Sequence, residues 1–319
     1  MNSTPALARS SQAPSVLVEV TLRTTAKARR VTSVEPQLQA PFVRSDAGTL
    51  RAALLVAPSP ALANVRPLYG ESNAIAERSA EQFAVFTNRL AADGVKATVI
   101  ACEEATAFGA LCADTAVLFS DGAFVMRPSD LRRRAEVAAV EAALERAGVP
   151  IIGRIEAPGL LDGGDVLVGP DAVYLGIPHL RRDENGIPVV PHGNLLGREQ
   201  LAAYASAKGL RTVFVSQNAD VFRLRAVAAF VSDDTVLCAP GVLDAVAFQG
   251  LRLLEVPRGE DYGAGVLTLG SGRVLANVRF RQTLPLLRKA KVAVDAIDLW
   301  EFGKIGATPS LLALAVHRA

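Results

Sequence analysis

The sequence predicts an α/β fold in which short strands and amphipathic helices alternate along one long domain. Apolar runs of strand length are separated by segments whose apolar residues recur at helical spacing. A unit of strand, helix, strand and strand also recurs at a period of about 50–65 residues, which is typical of a closed, propeller-like array. The alternation by itself would equally suit a doubly wound open sheet.

The first half of the domain shows the pattern clearly. Residues 54–57 form an apolar strand that ends before Pro58. Residues 72–93 carry apolar side chains at helical spacing, and Gly94 supplies a helix stop. The predicted elements that follow are a strand at 95–101, a hairpin with strands 116–119 and 123–126, a helix at 131–147 capped by Asp130, and a strand at 150–155.

The second half repeats this order of elements. It contains predicted strands at 166–168, 173–176, 211–215, 235–239, 265–269, 273–276 and 292–297, with helices at 198–207 and 284–290. Residues 177–195 have the composition of a long loop, which beside a binding site would act as a lid. We expect residues 1–48 to form a partly disordered N-terminal extension and residues 49–319 to form a single domain.

Charge and hydropathy exclude several classes of protein. The chain has 34 basic and 32 acidic residues and a net charge of +2, which is too balanced to favour nucleic acid or an anionic membrane as a partner. No segment approaches the roughly 20 apolar residues of a membrane span. The first fifteen residues lack the apolar core of a signal peptide. These features predict a cytoplasmic protein.

Residues that could bind metals or cofactors are few. The chain has three cysteines, Cys102, Cys112 and Cys238, and three histidines, His179, His192 and His317. Their spacing fits neither a disulfide framework nor a metal motif, so we predict reduced, buried thiols and no metal site. No glycine-rich nucleotide-binding motif follows the first strand, and we expect no cofactor.

The strongest motif is the segment 161–168, Leu-Asp-Gly-Gly-Asp-Val-Leu-Val, a turn rich in carboxylates that leads into an apolar strand. It could be only a tight turn. It could also present paired carboxylates to a cationic ligand. A guanidinium group is one such ligand, since it prefers planar, paired carboxylate acceptors.

From about residue 50 onward, the chain resembles the dimethylarginine dimethylaminohydrolase and arginine deiminase branch of the guanidine-modifying, or pentein, superfamily. Four stretches carry the resemblance: Ala113-Asp114-Thr115-Ala116-Val117, Arg127-Pro128 with Arg132-Arg133-Arg134-Ala135-Glu136, Leu161 to Leu167, and Trp300-Glu301-Phe302-Gly303-Lys304 followed by Gly306. Their order and spacing make the set specific. The resemblance implies an α/β propeller of five ββαβ modules closed around a central site.

The resemblance also implies roles for individual residues and an amino-acid-like small molecule as ligand. Asp114 lies at the position of a guanidinium-binding carboxylate, and Asp162 at that of the carboxylate that orients the general acid/base. Asp165 would support the turn and face the guanidinium. Arg133 and Arg181 lie at the positions of arginines that hold the α-carboxylate of the amino acid.

The departures from the family pattern concern its chemistry. Ser310 stands where the family has its nucleophilic cysteine, and Arg223 where it has its catalytic histidine. Ala113 and Phe108 replace two acids, which predicts a ligand less cationic than arginine. In the family, a thiolate attacks the guanidinium carbon while histidine and a carboxylate move protons. Because a guanidinium stays protonated and cannot act as a base, we predict that this hydrolysis is lost.

Three hypotheses remain open from the sequence, as does the oligomeric state. In the first, the protein binds a guanidino or ureido compound without converting it. In the second, it is an enzyme that uses Ser310 or Cys112 as nucleophile, with His179 or His192 as proton shuttle; Cys112 would face the same side of a strand as Asp114. In the third, it is a structural or interaction protein.

Overall fold

The structure, a computed structural model, describes residues 37–101, 106–179, 181–182, 188–189, 192–221 and 223–319. For the residues at 181–182 and 188–189 it describes the backbone alone. The helices and strands are, in chain order, β1 Leu50–Val56, α1 Ala76–Ala92, β2 Lys96–Ile100, β3 Ala116–Phe119, β4 Gly122–Val125, α2 Arg134–Arg146, β5 Ile151–Arg154, β6 Val166–Val168, β7 Ala172–Pro178, β8 Arg181–Arg182, β9 Pro188–Val189, α3 Leu195–Ala207, β10 Arg211–Gln217, α4 Leu224–Val227, β11 Ala228–Ser232, β12 Thr235–Cys238, β13 Arg252–Glu255, β14 Leu267–Gly270, β15 Arg273–Asn277, α5 Thr283–Lys289, β16 Ala293–Ile297, α6 Trp300–Gly303, α7 Pro309–Leu312 and β17 Leu314–Arg318.

Strands of the described residues form five small mixed sheets and one two-stranded hairpin, β8–β9. The sheets are β17-β1-β2, β3-β4-β5, β6-β7-β10, β11-β12-β13 and β14-β15-β16. In each sheet the middle strand is antiparallel to the first and parallel to the third. The predicted α/β fold of repeated modules is therefore confirmed. The sheets are separate and form neither one open sheet nor a single closed barrel.

A helix links the second and third strands of four modules, as the parallel pairing of those strands requires. These helices are α1, α2, α3 and α5. In the β11-β12-β13 module a short 3₁₀ turn, Ala245–Phe248, takes the place of the helix. The module of β1 and β2 is completed by β17, so the first and last strands of the described chain lie side by side.

Helix boundaries follow the signals in the sequence. The apolar face of α1 buries Phe83, Phe86 and Leu90, and the chain leaves the helix at Gly94, where φ is +75°. Asp130 accepts a hydrogen bond from the Arg132 backbone N–H at the start of the turn that precedes α2. Both helices are confirmed with slightly different bounds, and the cap at Asp130 belongs to the 3₁₀ turn Leu131–Arg133 instead of α2 itself.

Cys112 and Asp114 do not lie on a strand, so the expectation that they share one strand face is wrong. Residues Cys112–Asp114 form a 3₁₀ turn. The Asp114 N–H donates to the Leu111 carbonyl and the Thr115 N–H to the Cys112 carbonyl. These bonds span three residues and hold the backbone in a tight turn, which abolishes the alternation of side chains.

Residues 37–48 pack against the modules. Phe42 and Val43 are buried, and the Phe42 N–H donates to the Ser120 carbonyl. Residues 1–36, where most of the predicted disorder falls, lie outside the described residues. Across the part of the chain that the structure describes, no helix combines the length and apolar composition needed to cross a bilayer.

Candidate functional site

The central feature of the described chain is a set of one-turn helices, each just before the first strand of a module. They are Cys112–Asp114, Gly163–Asp165, Leu224–Val227, Asp261–Ala264 and Pro309–Leu312. Neighbouring turns contact one another around the centre of the array. The motif residues predicted from the sequence lie on these turns or beside them, so the fold brings Asp114, Asp162, Asp165 and Arg223 together.

Asp114 is the most heavily paired side chain of this cluster. Arg223 contacts it as a fork, with Nε 2.9 Å from Oδ1 and Nη2 3.0 Å from Oδ2. Arg133 Nη1 donates to Oδ2 at 2.6 Å, and the Gly164 N–H donates to Oδ1 at 3.0 Å. Burial alone would raise the pKa of Asp114, but the two guanidinium groups lower it to about 2. Asp114 is therefore ionised at neutral pH.

Asp162 is held by the same arginine. Its Oδ2 accepts from Arg223 Nη2 at 2.5 Å, and its Oδ1 accepts from the Ser129 N–H at 3.3 Å. His192 Nδ1 lies 3.9 Å from Oδ2, and the His192 side chain is 31% exposed. Burial and the charge of Arg223 lower the pKa of His192, so this histidine is neutral at neutral pH. The Arg223 guanidinium thus bridges Asp114 and Asp162, which come from two different stretches of the sequence.

Arg133 is buried rather than presented to solvent. All three of its guanidinium nitrogens donate within the protein: Nε to Glu136, Nη1 to Asp114, and Nη2 to the carbonyls of Phe108 and Leu111. Glu136 belongs to the quoted Arg-Arg-Arg-Ala-Glu stretch, and its spacing of three residues from Arg133 could have predicted this pair. The resemblance assigns Arg133 to the α-carboxylate of a ligand. In this protein all three nitrogens of its guanidinium are instead engaged by internal acceptors.

Asp165 is fully buried in a second polar group that sequence analysis did not anticipate. Its Oδ1 accepts from the Leu224 N–H at 3.0 Å and from Gln217 Nε2 at 3.2 Å. Arg198 of α3 is also buried and donates from Nε to the Gly176 carbonyl. Among the described residues, three atoms of this group lack a hydrogen-bond partner: Asp165 Oδ2, Gln217 Oε1 and Arg198 Nη2. No local pattern marks Arg198 or Gln217, because only the tertiary fold brings them to Asp165.

Burial also gives Asp165 an unusual titration. Burial raises its pKa from 3.8 to about 7, although Arg223 and Arg198 oppose the shift. Between these two values the folded protein keeps a proton that the unfolded chain has released. The contribution of Asp165 to the free energy of unfolding therefore falls as the pH rises from about 4 to about 7, and stays low above that.

Asp165→Asn is expected to raise the free energy of unfolding at pH 8 by about 1–3 kcal/mol, because it removes a buried charge with an unpartnered oxygen. At pH 5, where Asp165 is protonated in the folded state, the gain should be smaller. Urea denaturation of the wild-type protein and of Asp165→Asn at the two pH values measures the difference. His192 is present in both proteins, so its titration cancels in the comparison. A gain that is equal at pH 5 and pH 8 would contradict the raised pKa.

Ser310 and Leu311 occupy consecutive positions of α7 but face different surroundings. The Ser310 hydroxyl donates to the Arg225 carbonyl at 2.7 Å and lies 3.0 Å from Thr308 Oγ1. The Leu311 side chain is fully buried and packs at Gly164, beside Arg223 and Asp114. Leu311, rather than Ser310, therefore presents its side chain to the carboxylate cluster.

Gly164 is the position where the cluster is tightest. A Cβ atom there would overlap Asp114 Oδ1 and would lie 2.8 Å from Leu311 Cδ2 and 2.9 Å from Arg223 Cδ. Gly164→Ala is expected to lower the free energy of unfolding by about 1–3 kcal/mol, measured by urea denaturation. Gly241→Ala is the matched control, because a Cβ there meets no atom within 4 Å. Similar losses in both variants would show that the close packing at Gly164 is not the cause.

The other candidates predicted from the sequence are Cys112, His179 and Arg181. Cys112 is fully buried, and burial raises its pKa to about 12, so its thiol is protonated at neutral pH. His179 Nε2 lies 2.7 Å from Ser216 Oγ. The backbone of Arg181 pairs with Val189 in the β8–β9 hairpin, and its side chain lies outside the described part. Within the described residues, no group of three or more His, Cys, Asp or Glu side chains is arranged to hold a metal ion.

Comparison with solved structures places this architecture among known folds. The chain superposes on dimethylarginine dimethylaminohydrolase from Pseudomonas aeruginosa in complex with citrulline, with a TM-score of 0.73 at 22% identity, covering 83% of this chain and 99% of that one. It also matches the N-terminal domain of ArgZ, an arginine dihydrolase of cyanobacteria, with a TM-score of 0.70 at 15% identity over 84% of this chain and 98% of that domain. The pentein fold expected from the resemblance is therefore confirmed.

Sequence comparison is more specific. No model of a protein family matches the chain. However, it is 30% identical over 254 residues to dimethylarginine dimethylaminohydrolase of Streptomyces coelicolor, covering 79% of this chain and 92% of the relative. The enzyme of the same name from Pseudomonas aeruginosa is 24% identical over 237 residues, covering 74% and 88% of the two chains. The chain belongs to the dimethylarginine dimethylaminohydrolase family.

Proposed function

We propose that this family member binds an amino-acid-like small molecule with a neutral, ureido-type head group and does not hydrolyse a guanidino C–N bond by the family's Cys/His chemistry. The observation that carries the proposal is the position of the Arg223 guanidinium. It forms a fork on Asp114 and extends to Asp162, so the protein's own guanidinium occupies the carboxylates that would receive one from a substrate.

The loss of hydrolysis is supported by the protonation states of the groups at the centre. Burial opposes the charge of Arg223, but the neighbouring Asp114, Asp162 and Asp165 raise its pKa, so it has no lone pair with which to accept a proton. The hydroxyl of Ser310 donates to the Arg225 carbonyl, and no histidine is among the hydrogen-bond partners found for it within the described residues. Without a base, a serine hydroxyl is a weak nucleophile.

The choice of head group follows from charge. Both oxygens of Asp114 already accept from arginines, so a cationic ligand would have to displace Arg223 from a buried, doubly ionised contact. A neutral ureido group needs no such exchange. The Pseudomonas aeruginosa relative was solved with citrulline, a ureido amino acid, and this supports citrulline as the first compound to test.

Isothermal titration calorimetry with citrulline, arginine and asymmetric dimethylarginine tests the binding part. We expect citrulline to bind at least about tenfold more tightly than arginine, a difference of about 1.4 kcal/mol. Arg223→Gln, which releases Asp114, should shift the preference toward arginine. Arg225→Gln is the matched control, because Arg225 contacts Asp46 instead of Asp114. A preference of wild-type protein for arginine by more than tenfold would overturn the ureido proposal.

Mass spectrometry tests the catalytic part. Purified protein would be incubated with arginine, methylated arginines, agmatine and citrulline, and both substrate loss and new products would be followed. We expect no conversion of any of them. Conversion that disappears in Ser310→Ala, or in Cys112→Ala, would instead establish an enzyme with a reassigned nucleophile, with each variant serving as the control for the other.

A further inference from the structure

A small cavity lies beside α7, separate from the carboxylate cluster. Its volume is about 20 Å³, and its polar lining comes from Asp46, Arg225, Ser310 and Arg318. The remaining lining is mostly apolar and includes Ala113. A space of this size is sufficient for one water molecule or one monatomic ion.

Arg318 of β17 is the first indication of what the cavity accommodates. The residue is 5% exposed, and its Nη1 donates to the carbonyls of Gly48 at 2.6 Å and Thr268 at 2.7 Å. Its Nε has no hydrogen-bond partner among the residues that the structure describes. Because a buried charged donor without an acceptor is costly, the site favours an occupant that accepts a hydrogen bond.

The charge balance of the lining is the second indication. Arg225 Nη2 donates to Asp46 Oδ2 at 2.8 Å, and the same oxygen accepts from the Val168 N–H at 2.8 Å. One carboxylate therefore faces two guanidinium groups, which leaves an excess of one positive charge. Burial lowers the pKa of Arg318 to about 10; Asp46 opposes this shift and Arg225 adds to it. The positive charge of Arg318 is thus incompletely compensated.

We propose that this cavity is a binding site for a monovalent halide ion, with chloride as the physiological ligand. A halide is monatomic, accepts hydrogen bonds and carries the one negative charge that the lining lacks. A water molecule would satisfy the donor at Arg318 but would leave the charge excess in place.

The site also connects separate parts of the fold. Asp46 contacts β6, Arg225 lies on α4 two residues after Arg223, and Arg318 lies on β17. A bound halide would strengthen the contact between these elements, because a ligand that binds only the folded state stabilises it.

Thermal unfolding in sodium salts at a constant ionic strength of about 0.15 M tests the proposal. We expect the Tm to be about 2–4 °C higher in chloride or bromide than in gluconate. Arg318→Met should abolish the difference. Asp46→Asn, which keeps an oxygen for the Val168 N–H but removes the competing charge, should increase halide affinity about tenfold or more. Equal Tm values in chloride and gluconate would overturn the proposal.

Crystals grown in sodium bromide provide a readout that does not depend on a variant folding. We expect an anomalous bromine peak inside the cavity of the wild-type protein. Electron density without anomalous signal at this position would identify a water molecule and contradict the halide assignment, whatever the salt dependence of Tm.

Discussion

Replacing Asp114 by alanine is expected to lower the free energy of unfolding by about 3–5 kcal/mol. The substitution leaves Arg133 and Arg223 buried without the carboxylate that both contact. Each guanidinium loses one of its two contacting carboxylates in a place from which water is excluded, because Arg133 keeps only Glu136 and Arg223 keeps only Asp162. Urea denaturation followed by circular dichroism measures the loss, and failure to recover folded protein would be the extreme form of the same result.

Asp171→Ala is the matched control for this prediction. It removes the same carboxylate from an aspartate–arginine pair, with Arg211 2.7 Å away, but the Asp171 side chain is 64% exposed. Exposed ion pairs contribute little because water and salt screen them. We therefore expect the unfolding curve of Asp171→Ala to overlay that of wild type. Equal losses of unfolding free energy in Asp114→Ala and Asp171→Ala would show that burial of the Asp114 ion pairs does not increase their contribution to stability.

The second large effect is a gain of activity in the double variant Arg223→His/Leu311→Cys. Histidine at 223 would supply a base beside Asp162 and free two acceptor positions on Asp114. Cysteine at 311 places a thiol on the position that packs against Gly164 and Arg223. In family chemistry, such a thiolate attacks the guanidinium carbon. We therefore expect the double variant to convert asymmetric dimethylarginine and the wild-type protein not to convert it.

The control is Arg223→His/Ser310→Cys, which moves the thiol by one residue. Because the Ser310 side chain contacts the Arg225 carbonyl, a thiol there is misdirected. Misplacement of a reacting group by an ångström can cost about a hundredfold in rate, so we expect at least that ratio between the two variants. Higher turnover in the Ser310→Cys variant would return the nucleophile position to 310. Circular dichroism of both proteins checks that they are folded.

Much of the fold could be predicted because its signals are local. The apolar stripe of α1 and the alternation of strands and helices are properties of short segments, and both are confirmed. Strands β11, β13 and β17 were not anticipated. They are four or five residues long. Strand β13 has only exposed and half-exposed positions, and β17 alternates buried with half-exposed ones. Their identity as strands depends on partners elsewhere in the chain.

The site was predicted in part. Asp114, Asp162 and Arg223 could be brought together from the motifs, but their contacts with one another could not. The resemblance predicts an arginine, Arg223, at the position where the family has a histidine. It does not predict that this arginine pairs with Asp114 and Asp162. Ser310 illustrates a further limit. Consecutive residues of a turn point in different directions, so an assignment that is wrong by one residue places the side chain in different surroundings. Ser310 contacts the Arg225 carbonyl, whereas Leu311 packs beside the carboxylate cluster.

The pairing of β17 with β1 has a consequence for the biogenesis of the protein. Nearly the whole described chain separates the two strands in sequence, so this module closes the largest loop of the fold. During synthesis the other four modules can assemble in order as they leave the ribosome, whereas β1 must wait with one edge unpaired. Truncations before β17 should therefore leave one edge of β1 unpaired and exposed, which favours chaperone binding and aggregation.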